Sequence, residues 1–209
     1  MSNLRSSLLA LAVLLAVSPA NASTISLQTT PAAAAALPQF AGGSVVTFDS
    51  ARSGSYTSYT EANITFTADN LMYIDSEWMG AFNNFGTNSL HNVYADTSFG
   101  QLTFTLTSPV NALGFFWGAS NNLWTLNGYN SSNELLESFS LPITEGSNSG
   151  DFVGIAATGI AYATLTGPSS DYIFVDNVMT SAVPVPAALP LFGTALAGLG
   201  VFGRRKKTA

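Results

Sequence analysis

From residue 44 to residue 182 the chain alternates apolar and polar positions in short runs, separated by Gly, Asn, Ser and Pro. Successive side chains of an extended strand point to opposite faces, so a period of two predicts half-buried β-strands. The clearest run is 101–110. Leu102, Phe104 and Leu106 take one face and Thr103, Thr105 and Thr107 the other, until Ser108-Pro109 breaks the pattern. The same reading predicts strands over 45–48, 63–67, 112–117, 123–129, 134–141, 152–156, 160–166 and 172–179, with 130–133 as a hairpin loop. No segment in this region carries a convincing helical stripe, and no internal repeat is visible. The expectation is an all-β, two-sheet antiparallel sandwich of jelly-roll type, with a barrel as the runner-up. Residues 23–43 are rich in Ala, Thr and Pro and read as an exposed leader, in which the alanines at 32–36 would form at most a short helix.

The two ends of the chain break this pattern. Residues 187–203 are uncharged and apolar on every side. As a helix they would span roughly 26 Å, close to the roughly 30 Å of a bilayer's hydrocarbon. Arg204, Arg205, Lys206 and Lys207 follow at once. Such a basic stop stays cytoplasmic, which places the preceding chain across the inner membrane. At the other end Arg5 precedes an apolar stretch at 8–17, and Ala20-Asn21-Ala22 offers a small-residue cleavage site. These are the parts of a secretory signal peptide over 1–22, with Ser23 the new N-terminus. The passenger domain then occupies 44–182.

The C-terminal arrangement resembles the PEP-CTERM family of exosortase-processed proteins of Gram-negative bacteria. The resemblance rests on Val183-Pro184-Val185-Pro186, the Ala-Ala-Leu-Pro-Leu-Phe that follows, the Gly/Ala/Leu-rich run and the basic stop at 204–207. One departure stands out: Val185 occupies the place of the Glu in the Pro-Glu-Pro that gives the family its name, so this tail looks like a Val-Pro-x-Pro variant. The resemblance implies export by the Sec translocon and transient anchoring in the inner membrane. An exosortase would then recognise Pro184 to Pro186, remove the helix and deliver the passenger to the cell envelope or extracellular matrix. The passenger resembles galactose-binding-like jelly rolls more weakly, through Val46-Thr47-Phe48-Asp49, Ile64-Thr65-Phe66, the stretch 109–115 and Val175-Asp176-Asn177-Val178.

Charge narrows the partners. Arg52 is the one cation between residues 23 and 182, against twelve carboxylates, a net of −11 with His91 neutral. Phosphate backbones require clustered Lys or Arg, so nucleic acid is excluded as a partner, and anionic headgroups are disfavoured for the same reason. Neutral polysaccharides and divalent cations remain. The chain has no cysteine, which rules out disulfides and thiolate metal sites.

Three sets of residues are candidates for chemistry. Asp49 and Asp176 are the acidic pair of interest. In jelly rolls of the resembled type the first and last strands lie together and often hold a structural calcium there, so the resemblance implies Asp49 and Asp176 as ligands, with Glu61 or a backbone carbonyl completing the shell. The alternative is that both carboxylates accept backbone hydrogen bonds at turns and strand ends. Trp78 follows Asp75, Ser76 and Glu77 and precedes Gly80, so it reads as an exposed ring able to stack on a sugar. Trp117 and Trp124 sit inside apolar runs and read as core, while Tyr56, Tyr59, Tyr73 and Tyr94 are further stacking candidates. Catalytic residues are not expected. His91 is the single histidine, no Gly-x-Ser-x-Gly elbow is present, and Glu134 and Glu137 face opposite ways on a strand. The sequence therefore predicts a matrix or envelope protein that binds or organises extracellular polysaccharide, with a hydrolase of such polymers as the alternative. An adhesin or ice-associated protein using the Thr103, Thr105 and Thr107 face is a third reading.

Overall fold

A computed structural model describes residues 22–92 and 98–182. The expected signal peptide, up to Asn21, and the expected sorting tail over 183–209 lie outside the described residues, as does Tyr94. Among the described residues no helix is long and apolar enough to cross a membrane.

The elements in chain order are β1 (Ser23–Gln28), α1 (Pro31–Ala35), β2 (Ser44–Val46), β3 (Gly54–Glu61), β4 (Ile64–Asp75), β5 (Ser89–His91), β6 (Gln101–Gly118), β7 (Thr125–Tyr129), β8 (Leu135–Ser140), β9 (Asp151–Thr166) and β10 (Phe174–Thr180). The strand order is β2-β10-β5-β4-β6-β9-β7-β8, with β1 added to β9, β3 to β4 and a further β10–β6 pairing. Every pairing is antiparallel, so the all-β expectation holds and the arrangement is consistent with a sandwich.

The long central strands β6 and β9 organise the fold. Leu102, Phe104 and Leu106 enter the main core, and further along β6 Leu113, Phe115 and Trp117 do so. Core positions thus change from even to odd numbers. The change coincides with register shifts against β9 between Thr105 and Val110 and between Val110 and Ala112. A bulge of this kind adds a residue to one strand and re-aims every side chain beyond it. The predicted strands over 101–110 and 112–117 are for this reason one strand, as are 152–156 and 160–166. Exposed Pro109 sits within the shifted stretch, where a missing N–H breaks no regular ladder.

Before the shift, the outward face of β6 carries hydroxyls. Thr105 lies between Thr65 of β4 and Tyr162 of β9, and Thr103 lies between Thr67 and Thr164. These cross-strand rows contain no charge. Beyond the shift, β6 is buried on both sides. Its second face meets a smaller cluster made of Ile25, Ala34, Phe40, Ala112, Phe116, Phe152 and Met179.

That cluster corrects the reading of 23–43 as an exposed leader. β1 pairs with β9 along its whole length, from Ser23 opposite Ala156 to Gln28 opposite Asp151. Pro31 opens α1, and Thr30 caps it by accepting the Ala33 N–H. The helix and the turn after it then seat Phe40 edge-on against Phe152, with ring centroids 5.5 Å apart. Phe116 and Phe152 would otherwise present large apolar rings to water, and burying such a ring is worth about 2–3 kcal/mol.

Candidate functional site

The structure gathers aromatic and acidic side chains around the loop that joins β4 to β5. The loop starts as an Asx turn in which Asp75 Oδ1 accepts the Glu77 N–H at 2.8 Å. Its backbone then makes several left-handed excursions: φ is 56° at Trp78, 79° at Gly80, 52° at Phe82, 61° at Asn83 and 75° at Gly86. For residues bearing a Cβ this conformation costs about 1–2 kcal/mol each, so something must impose it.

Asn83 does so. Its side chain is buried, with Nδ2 donating to the Trp117 carbonyl at 2.7 Å and to Asp151 Oδ2 at 2.9 Å, while Oδ1 accepts the Gly150 N–H at 2.8 Å. Asn148 holds the loop from outside by accepting the Asn83 N–H at 2.9 Å and donating to the Gly80 carbonyl at 2.8 Å. Gly118 is required beneath it, because a Cβ there would collide with the Phe82 carbonyl. The far end of the loop is tied by carboxylates: Asp176 Oδ2 accepts the Phe85 N–H at 2.6 Å, and Asp49 Oδ1 accepts the N–H groups of Thr87 and Asn88 at 2.5 and 3.1 Å.

On this frame Trp78 stands 55% exposed. Its ring meets Phe82 edge-on at 5.7 Å, and Phe82 stacks on Phe174 of β10 at 5.9 Å with the planes 6° apart. The Trp78 indole N–H donates to Glu77 Oε1 at 3.1 Å. Glu77, Trp78, Phe82 and Tyr172 line an open cleft of about 380 Å³. Burial, reinforced by the charge and hydrogen bond of Glu77, pushes the Tyr172 hydroxyl well above the usual phenol range and keeps it a neutral O–H.

Behind this wall lies His91, buried on β5 opposite Tyr73 of β4 and Phe174 of β10. Its Nδ1 faces the Asn92 carbonyl at 2.8 Å, and its Nε2 faces Asp75 Oδ1 at 3.1 Å and Glu77 Oε2 at 3.8 Å. Tyr73 stacks on the imidazole at 5.9 Å. The ligand atoms of Asp75, Glu77 and His91 all lie within 4.8 Å of one another, one such group among the described residues.

The implied calcium ligands are arranged differently from the expectation. Asp49 and Asp176 do meet at one place, on either side of the 85–88 backbone, but each is engaged by N–H donors. Glu61 is not with them; it accepts the Tyr59 hydroxyl at 2.6 Å beside the β3–β4 turn. The three therefore do not form one ligand set. Burial pushes the Asp176 carboxyl up to about 8, with the charge of Asp49 adding to the rise and the Phe85 and Asn177 N–H groups opposing it. At Asp49 burial also acts upward, but bonds from Thr87, Asn88 and Thr47 outweigh it and hold that carboxyl below its ordinary value.

Of the other aromatic candidates, Trp117 and Trp124 are fully buried core residues. Their indole N–H groups are satisfied by the Pro142 carbonyl at 3.0 Å and by Asp171 at 2.8 Å. Tyr56 and Tyr59 pack edge-on together against the main core, so neither offers an open stacking face. Sequence reasoning found Trp78 and missed Phe82, Tyr172 and the grouping of His91 with Asp75 and Glu77. Tyr73 and Asp75 share one face of β4 and His91 is the cross-strand partner of Tyr73, a pairing that only the β4–β5 register reveals.

No known family model and no curated protein matches the chain. Among solved structures, the chain is similar to TmCBM61 in complex with beta-1,4-galactotriose, at 13% identity and a TM-score of 0.32, over 56% of this chain and 86% of that one. It is also similar to the enzymatically active domain of the bacteriophage CBA120 tailspike protein 4, at 13% identity and a TM-score of 0.31, over 63% of this chain and 19% of that one. Likeness at this level carries no argument about fold or activity.

Proposed function

We propose that this is an exported, exosortase-sorted protein of the cell envelope or extracellular matrix whose jelly-roll sandwich binds neutral extracellular polysaccharide in the Trp78 cleft. The observation that carries the reading is Trp78 itself: a large ring more than half exposed, on a loop whose backbone is fixed by a buried asparagine. Rigid aromatic surface beside hydrogen-bonding groups suits a sugar ring, which offers C–H groups on its face and hydroxyls on its rim. Trp78 supplies the face, Phe82 backs it, and Glu77 and Tyr172 supply the polar contacts. The net charge of −11 between residues 23 and 182 favours a neutral chain over an anionic one. Export and sorting rest on Ala20 and Ala22, on Pro184 and Pro186, and on the basic stop at 204–207.

The hydrolase alternative has one observation in its favour, the close carboxylates of Asp75 and Glu77. A glycosidase needs two carboxyl groups flanking the scissile bond, about 5–10 Å apart. Here both turn to the same imidazole nitrogen, and Glu77 alone of the two lines the cleft. Binding without hydrolysis is therefore the reading adopted. It is tested by cosedimentation of the chain with the extracellular polysaccharide of the producing organism: saturable retention with no release of reducing ends supports it, and progressive release of reducing ends would replace it with the hydrolase.

A further inference from the structure

We propose that Asp75, Glu77 and His91 form a binding site for a divalent transition metal of the zinc type, set into the inner wall of the aromatic cleft.

His91 meets polar atoms at both ring nitrogens. A neutral imidazole has one N–H and one lone pair. Two groups face Nδ1, the Asn92 carbonyl at 2.8 Å, which can only accept, and the Tyr172 hydroxyl at 3.4 Å, which can accept as well as donate, so the N–H belongs to the carbonyl. The lone pair on Nε2 is then aimed at two carboxylate oxygens, Asp75 Oδ1 at 3.1 Å and Glu77 Oε2 at 3.8 Å. Three electron-rich atoms converging on one point repel one another unless a proton or a metal ion sits among them. Metal-binding histidines typically donate their second ring N–H to a carbonyl or carboxylate, which fixes the tautomer and turns the other nitrogen to the metal. His91 has that outer partner already.

Distances fit the ion. Two ligands about 2.0–2.1 Å from zinc at a tetrahedral angle stand roughly 3.3 Å apart. The separations of Nε2 from Asp75 and Glu77, 3.1 and 3.8 Å, bracket that value. His91 is fixed by burial and by the stacked Tyr73 ring, and Asp75 by its bond to the Glu77 N–H. Glu77, with a side chain 52% exposed, is the ligand best placed to shift by the last few tenths of an ångström. One nitrogen and two carboxylate oxygens suit zinc or a neighbouring metal. Calcium asks for six to eight oxygens, which this group does not supply. The fourth tetrahedral position would open toward the cleft that Glu77 lines. The acidic surroundings favour cation uptake, and the site would load with or without a bound glycan.

The test uses the full-length chain without a histidine tag, stripped of metal and titrated with Zn²⁺ alone while indole fluorescence is followed. Trp78 reports directly, because its N–H is bonded to Glu77. A parallel Co²⁺ titration reads the visible absorption of a low-coordinate site. Saturation at one equivalent is expected, with Glu77→Gln weakening uptake by about tenfold or more and His91→Gln abolishing the cobalt spectrum. His91 is buried, so far-UV circular dichroism accompanies that variant, and Asp75→Asn serves as the second ligand variant should His91→Gln not fold. Absence of saturable uptake would overturn the proposal. Uptake unchanged in both Glu77→Gln and Asp75→Asn would overturn it as well, as would displacement of Zn²⁺ by equimolar Ca²⁺.

Discussion

Asn83 and Asp151 are joined by a 2.9 Å hydrogen bond from amide to carboxylate, and it fastens the loop that carries Trp78 to the first residue of β9. The same amide group reaches the Trp117 carbonyl, and Asn83 Oδ1 holds the Gly150 N–H. Removing the side chain strands these buried groups, each worth about 1–3 kcal/mol when left unpaired. Asn83→Ala should therefore cost on the order of 3 kcal/mol in denaturant unfolding and should raise the mobility of Trp78, read as lower indole anisotropy. A loss below about 0.5 kcal/mol, the range of an ordinary surface change, would contradict the assigned anchoring role.

The second core gives an independent prediction. Phe40 lies edge-on to Phe152 and is 4% exposed. Phe40→Ala should cost about 3 kcal/mol, the usual penalty for emptying a buried aromatic site, and should expose the stretch 29–43 to proteases. Were this stretch a detached leader, wild type and variant would be cut there equally fast.

Asp176 makes stability depend on pH. Its carboxyl is raised from 3.8 to about 8 in the folded protein, chiefly by burial. The folded state then binds more protons than the unfolded state between these values, so the stability this group contributes is complete below pH 4 and is lost as pH rises through 8. A melting temperature that falls from pH 5 to pH 8 in wild type and stays flatter in Asp176→Asn is the expected result. A wild type whose melting temperature does not change between pH 5 and pH 8 would remove the role given to Asp176.

Sorting is tested in the cell. Replacing Pro184 and Pro186 by Ala should leave an unprocessed, membrane-bound form in an exosortase-positive host, seen as a larger band in the membrane fraction. Normal release of that variant would refute the role given to the motif.

How far the sequence reached depended on whether a residue's role is local. The alternation of Leu102, Phe104 and Leu106 is written in neighbouring positions, and β6 follows it. β3, by contrast, has no fully buried residue along Gly54–Glu61, so no hydrophobic period marks it. β5 is three residues long, too short for any pattern. β1 carries Ile25 and Leu27 at the right spacing, but the Ala- and Pro-rich text beside it concealed the strand. Trp78 was legible because a large ring stands among acidic residues and glycine. Asn83 was not, because its partners at 117, 148, 150 and 151 are set by the fold. His91 looked isolated for the same reason, since β-pairing alone brings Asp75 and Glu77 to it.

If an exposed tryptophan on a rigid loop binds the polysaccharide, Trp78→Ala should abolish most of the binding while sparing the fold. Wild type and variant would be compared by affinity electrophoresis through gels containing the producing organism's extracellular polysaccharide, with melting temperatures measured alongside. The expected result is clear retardation of wild type, loss of about tenfold or more in apparent affinity for Trp78→Ala, and melting temperatures that nearly coincide. Equal retardation of the two proteins, or none for wild type, would contradict it.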